Sequence, residues 1–204
     1  MKWSTSQKHE LHYASTQELS IWNIPYSAEY WQSFLHLHDV HGVGVEIGCG
    51  THGIYNFVPN IVGVDTLNFH TKNCIQASAE CLPFKRVDVA ILCNSLDHCD
   101  NPQKVIAEVI NISSTIVLWT YVYPKAVSWM LSKFDKLHPH HFTKEGISFL
   151  LKHATVMHDI PYSPWNFRRF TKSRIMKIKL LAMYLLNIRG KCIYAACLTE
   201  RARQ

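Results

Sequence analysis

The chain has 204 residues, 48% hydrophobic and 18% charged, with a formal charge of +6. That length accommodates one domain with a full core and excludes two ordinary ones. Its seven cysteines include no Cys-x-x-Cys pair, which argues against a disulfide framework and for free thiols, expected to be buried in or beside strands at Cys49, Cys74, Cys81 and Cys93.

Met1 to His9 lacks the apolar core of a signal peptide, and the longest apolar stretch, Leu180 to Leu186, falls far below the roughly 20 residues that cross a bilayer. A cytoplasmic protein is expected. Residues 1–42 predict a start segment followed by helix, with Tyr30, Phe34 and Leu37 on one face after Pro25. Tyr26, Tyr30 and Trp31 there can either cover a cationic ligand as a lid or pack as core.

Val43 to Gly53 carries an apolar β-branched run with an acid, Glu46, that breaks into Gly48, Gly50 and Gly53. This predicts a buried strand turning sharply toward a helix, with Gly48 and Gly50 letting backbone approach a ligand. Such glycines also occur purely for packing. A second strand, Ile61 to Asp65, again closes on an acid, the way a nucleoside fold presents a carboxylate to ribose hydroxyls. Only a short helix fits between the two, because Pro59-Asn60 ends it.

A third strand is predicted at Cys74 to Ser78, so this half of the sheet is abbreviated. The fourth, Val87 to Cys93, has the pattern of a strand buried on both faces. Its exit, Asn94 to His98, would emerge at the same edge as Gly48 and Asp65 if the strands are parallel. Asn101 caps a helix that begins at Pro102 and buries Val105, Ile106, Val109 and Ile110.

A fifth strand follows at Thr115 to Thr120, then a long connection to a helix capped by Thr143, then strands at Ala154 to Ile160 and Lys191 to Thr199. A basic helical insertion is predicted at about 170–189. It can rest on a membrane or an anionic lipid-linked substrate, or cover the sheet's end with its charges in water. Strands alternating with helical patterns give an α/β layered sandwich.

The ordered set Val-Glu-Ile-Gly-Cys-Gly, Gly63-Val64-Asp65, Glu80-x-Leu82-Pro83-Phe84, Val87-Asp88-Val89, Asn94-x-Leu96-Asp97-His98 and Asn101-Pro102 resembles the class I S-adenosylmethionine-dependent methyltransferases. With Asp135 to Thr143 added, it is similar to a compact bacterial subgroup of the methyltransferase type 11 kind. The resemblance implies a Rossmann-like three-layer sandwich whose mostly parallel seven-stranded sheet has an antiparallel last strand. It also implies S-adenosyl-L-methionine as cofactor. Glu46, Gly48, Cys49 and Gly50 would line its methionine part, Asp65 and Thr66 the ribose, Ala79 and Glu80 the adenine, and Asn94 and Ser95 the methionyl end.

This chain departs from the family at His52, which stands where a third loop glycine is usual, and at Ser78-Ala79, which replace an acid. The Pro-Gly-Gly usual before the fifth strand is also missing.

A hydroxyl acceptor must lose a proton, and histidine is the commonest base. His98 is the first candidate, with Asp97 as orienter or alternative base; His98 can equally hold the adjacent helix. His141, within His138, His140 and His141, is the further candidate. His-Pro-His-His lacks the i, i+4 spacing of a helical zinc site, so no metal is expected.

The expected activity is methylation of a sugar, glycan or other small metabolite. The alternatives are RNA methylation, for which no binding module is recognisable, and a degenerate scaffold.

Overall fold

Seven runs of aliphatic and β-branched residues form one sheet: β1 (Gly44–Ile47), β2 (Ile61–Asp65), β3 (Cys74–Gln76), β4 (Val87–Cys93), β5 (Ser113–Val122), β6 (Ala154–Tyr162) and β7 (Arg189–Cys197). The structure, a computed structural model, describes residues 42–50, 53–56, 58–67, 72–135, 138–162, 181–183, 185–186 and 188–197. The expected lid over residues 1–42 lies outside the described residues apart from Gly42, as do His52 and most of the basic insertion.

The strand order is β3-β2-β1-β4-β5-β7-β6. β1 pairs in parallel with both β2 and β4, and Ile47 lies in register with Val64 on one side and Leu92 on the other. Gly48, Asp65 and the exit of β4 therefore reach the same edge of the sheet. β7 runs antiparallel to β5 and to β6. The order reverses between β1 and β4, and in such sheets the crevice outside the carboxyl ends of the diverging strands is where ligands bind.

Alternation along β4 and β5 builds two cores, as a two-residue side-chain period requires. Ala90, Leu92, Ile116 and Leu118 face the layer formed by α1 (Pro102–Ile112) and α3 (Lys144–Leu150), while Val89, Ile91, Val117 and Trp119 pack on the opposite face with Ile54 and Tyr55. Asn101 caps α1 by accepting a hydrogen bond from Lys104 N–H at 3.0 Å, with Pro102 opening the helix. Thr143 caps α3 in the same way, accepting from Gly146 N–H.

The long connection after β5 contains a ten-residue helix, α2 (Lys125–Phe134), that sequence alone did not mark. None of its residues is buried, so no inward apolar stripe announces it. Trp129 is 64% exposed, and Lys133 Nζ stands 3.7 Å from the centre of its ring.

Several boundaries move. β3 ends at Gln76, so Ala77 and Ser78 are not strand. β5 begins at Ser113, and β6 continues to Tyr162 opposite Gly190, because pairing with β7 carries the ladder past the β-branched residues. Arg189 opens β7 and does not close the basic insertion. Of the four cysteines expected to be buried, Cys49 is buried, Cys74 and Cys93 are partly so, and Cys81 is exposed in a turn, its N–H donating to the Ser78 carbonyl. No helix among the described residues is long and apolar enough to cross a membrane.

Leu118 is fully buried at the centre of the larger core. Leu118→Ala should destabilise the protein by roughly 2–5 kcal/mol, read as a lower urea midpoint at unchanged slope.

Candidate active site

The crevice starts with Gly48, at φ 68°. A Cβ there would stand 2.4 Å from the Cβ of Ser95, whose hydroxyl donates to the Ile47 carbonyl at 2.6 Å. The ends of β1 and β4 are thus stitched together where a side chain has no room. Gly50, at φ 56°, is the opposite case: a Cβ there would meet nothing within 4 Å. Its N–H donates to Asp65 Oδ2 at 3.0 Å, and Asp65 Oδ1 accepts from Leu67 N–H at 2.9 Å. The loop is a backbone cradle open on one side and held by the acid at the tip of β2.

Glu46 serves that loop from behind. It is 3% exposed, and its Oε2 accepts from Tyr55 N–H at 3.0 Å. Gly53 passes so close that a Cβ would lie 2.4 Å from this oxygen. Burial pushes the Glu46 carboxyl up to about 8, against the lowering effect of the Tyr55 and Ile54 N–H groups. The structure places Glu46 behind the loop, where its carboxyl holds Tyr55 N–H and shapes the turn.

Cys49 likewise contributes only backbone, because its side chain is packed in the core of the second face, with Sγ 3.5 Å from Cys74 Sγ. Burial, followed by the charges nearby, pushes its thiol well above the ordinary range.

Asn94 leaves β4 in the left-handed region at φ 52°, which is uncommon for a residue with a side chain. Its Oδ1 is buried with no hydrogen-bond partner among the described residues. Thr66 follows Asp65, its hydroxyl 3.5 Å from Asp65 Oδ1 and its carbonyl accepting from Gln76 Nε2 at 3.0 Å. Ala79 is half-buried. Glu80 turns its carboxylate to the start of α1, where Oε1 accepts from the N–H groups of Asp100 and Asn101 at 3.1 and 3.3 Å. It anchors the β3–β4 connector.

Beyond β4, the turn Leu96–His98 places Asp97 and His98 beside a second segment 40 residues downstream. His140 N–H donates to the Asp97 carbonyl at 3.3 Å, and His140 Nε2–H donates to the Cys99 carbonyl at 2.9 Å. These bonds clip the loop after α2 onto the exit of β4. They bring the His138 ring against that of His98, with centres 4.7 Å apart and planes at 61°. His98 Nε2 lies 3.9 Å from Asp97 Oδ1.

Asp135 organises the rest. Its Oδ2 accepts from His138 Nδ1–H at 2.8 Å and from His141 Nε2–H at 3.3 Å. The His138 bond fixes the neutral tautomer whose lone pair is on Nε2. The three histidines differ in access: the side chain of His138 is 31% exposed and that of His98 20%, whereas that of His141 is 1% exposed.

Burial lowers the His141 pKa although the hydrogen bond and charge of Asp135 oppose it. His141, expected as a catalytic base, lies buried, its Nε2–H on Asp135 and its ring edge-on against that of Tyr123. His138 is the imidazole that shares the site with His98. The sequence signal for it is Asp135 three residues ahead at the end of a helix, visible only once α2 is known.

No family model and no curated protein matches the sequence. Solved structures do match. The geranyl diphosphate C-methyltransferase of Streptomyces coelicolor A3(2), determined with Mg2+, geranyl diphosphate and S-adenosyl-L-homocysteine, is 12% identical with a TM-score of 0.65, over 96% of this chain and 100% of that one. The MccD protein is 10% identical with a TM-score of 0.64, over 83% and 97%. The (4+2)-cyclase SpnF is 13% identical with a TM-score of 0.59, over 95% and 96%.

The chain has the class I methyltransferase fold. Within that fold the mostly parallel seven-stranded sheet and the antiparallel β7 that the resemblance implied are both present.

The raised Glu46 pKa links loop shape to pH. The folded state keeps this carboxyl protonated, whereas the unfolded chain ionises it near 4.5, so its stabilising contribution is present below 4.5 and is lost as pH rises to about 8. Melting temperature should therefore fall across that window. Glu46→Gln should flatten the fall; an equally steep decline in the variant would assign it elsewhere.

Proposed function

We propose that this chain is an S-adenosylmethionine-dependent methyltransferase that methylates a hydroxyl of a small molecule or glycan. One observation carries the reading: a glycine cradle open beside Asp65 lies at the strand-order reversal, on the same edge as a carboxylate–imidazole cluster.

The residues present fit the donor. Gly48 and Gly50 would receive its methionine part, and Asn94 Oδ1, buried and without a partner among the described residues, would meet a hydrogen-bond donor there. Asp65, at the tip of β2 and already oriented by the N–H groups of Gly50 and Leu67, would meet the ribose hydroxyls. Bound in this way, the sulfonium supplies an already activated methyl group.

Electrostatics favour a cationic donor at this edge of an otherwise basic chain. Burial first, and then the negative charges of Glu80, Asp97, Asp100 and Asp65, push the Cys99 thiol well above its ordinary range. Tyr123 is raised in the same way, by burial and then by Asp97, Tyr121 and Asp135. Acids thus act on this edge from four segments, and attraction of a cation is strengthened in a partly desolvated site.

On the acceptor side, Asp135 holds His138 with its Nε2 lone pair available to take the hydroxyl proton, and the imidazolium formed is stabilised by the same carboxylate. His98 faces it across the site and orients the acceptor oxygen. Alignment of acceptor and methyl group supplies much of the remaining rate, about 7–11 kcal/mol in favourable cases. The fold itself does not choose the reaction, as the cyclase among its relatives illustrates.

The test is transfer of a labelled methyl group to a panel of sugars and other polyols, with the product identified by mass as a methyl ether. His138→Ala should lower kcat by about 10²- to 10⁴-fold while donor affinity is retained. Donor binding without transfer to any hydroxyl, or an unaffected His138→Ala, would contradict the assignment.

A further inference from the structure

The cluster opposite the cradle contains a ligand set that neither of its sequence segments holds alone. Asp97, His98 and His138 each turn a ligand atom toward the others, and all three atoms lie within 4.8 Å of one another. Asp97 is buried, and the two imidazoles are partly exposed. We infer that Asp97, His98 and His138 form a binding site for one divalent first-row transition ion, with Asp135 as its outer support.

Three features argue for an ion. First, the donor set is two imidazoles and one carboxylate, which suits borderline metals such as zinc, cobalt and iron, and three protein ligands leave a position open for an oxygen ligand.

Second, His138 donates its Nδ1–H to Asp135 at 2.8 Å. Metal-binding histidines almost always donate their other ring N–H to a carboxylate, carbonyl or water, which fixes the tautomer and raises the basicity of the ligating nitrogen. Asp135 is itself held by a second donor, His141 Nε2–H.

Third, the spacing is near what an ion needs. Zn–N bonds of about 2.0–2.1 Å at tetrahedral angles put ligand atoms about 3.4 Å apart. The three atoms, now within 4.8 Å of one another, would close to that separation by side-chain rotation of His98 and His138, neither of which is fully buried.

Local sequence conceals the site because its ligands come from two places. His138-Pro139-His140-His141 has no metal-site spacing, and His140 is occupied with the Cys99 carbonyl. The missing ligands arrive from the exit of β4, 40 residues earlier, once His140 N–H has closed on the Asp97 carbonyl. Ion binding itself does not depend on methyl transfer. Its consequence rests on the proposed function: a bound ion would occupy the His138 Nε2 lone pair, so His138 would serve as base only in the ion-free protein. In the loaded protein an acceptor hydroxyl at the open position would be made more acidic by the ion itself.

The experiment uses the full chain without a histidine tag, stripped with chelator and titrated with Co2+ and with Zn2+ by calorimetry and visible absorption. One ion per chain is expected, with the visible bands of four- or five-coordinate cobalt. His98→Gln and His138→Ala should each weaken binding at least ten-fold, and Asp135→Asn by about 10- to 100-fold, with circular dichroism establishing that each variant is folded. His98→Gln, at a partly exposed ring, provides the reading should His138→Ala not fold. Absence of binding at micromolar ion, or unchanged affinity in His98→Gln, would overturn the proposal. A donor titration on the same preparations separates the two readings: ion binding without donor binding removes only the methyl-transfer function, and the reverse removes only the metal site.

Discussion

The site depends on how tightly β1 and β4 close against each other where the strand order reverses. Ser95 sits where any side chain at position 48 would have to be, and its hydroxyl ties off the last carbonyl of β1. That contact leaves no room for a Cβ at Gly48, which takes the left-handed conformation that glycine adopts most readily, and the chain then swings over β2, where both Gly48 and Cys49 donate to the Val64 carbonyl. Asp65 receives the loop and Glu46 supports it from below. Among the described residues the cradle is thus fixed largely by backbone and buried groups, with open space on the side at Gly50. A preorganised pocket of this kind need not reorganise as the donor arrives.

The same closure sets the acceptor side. Because Ser95 is pinned, the turn from Leu96 to His98 leaves the sheet in a defined direction, and Asp97 offers its carbonyl to His140. One backbone hydrogen bond and one side-chain bond from His140 then deliver His138 and Asp135 to His98. The loop that follows the exposed helix α2 is thus held at its far end by His140, next to the residues proposed to act on an acceptor. Acids from several segments share this edge although the chain as a whole is basic, which concentrates negative potential where a cationic donor or a metal ion would enter.

Much of the sheet was legible because its central strands, β1, β2, β4 and β5, are apolar runs, and burial on both faces demands that pattern. Asp65 and the glycine turn were legible for the same reason: their residue types follow from a sharp strand exit. Less legible were features set by contacts distant in sequence. α2 buries no residue, so periodicity had nothing to register. Glu80 was expected near a ligand but bonds to Asp100 and Asn101, a pairing across 20 residues. His141 and His138 are chemically alike in the sequence, and only the position of Asp135 and the surrounding packing separate the buried support from the accessible imidazole. The β6–β7 ladder extends past its β-branched residues because strand pairing, more than local propensity, sets its ends.

The claim at the centre of this account is that the carboxylate of Asp65 and the loop it holds form the donor pocket. Calorimetric titration of the intact protein and of Asp65→Ala with S-adenosyl-L-homocysteine tests it most directly. The account predicts saturable one-to-one binding that Asp65→Ala weakens by about ten-fold, roughly 1.4 kcal/mol. Absence of binding to the intact protein, or equal affinity in the folded variant, would contradict it.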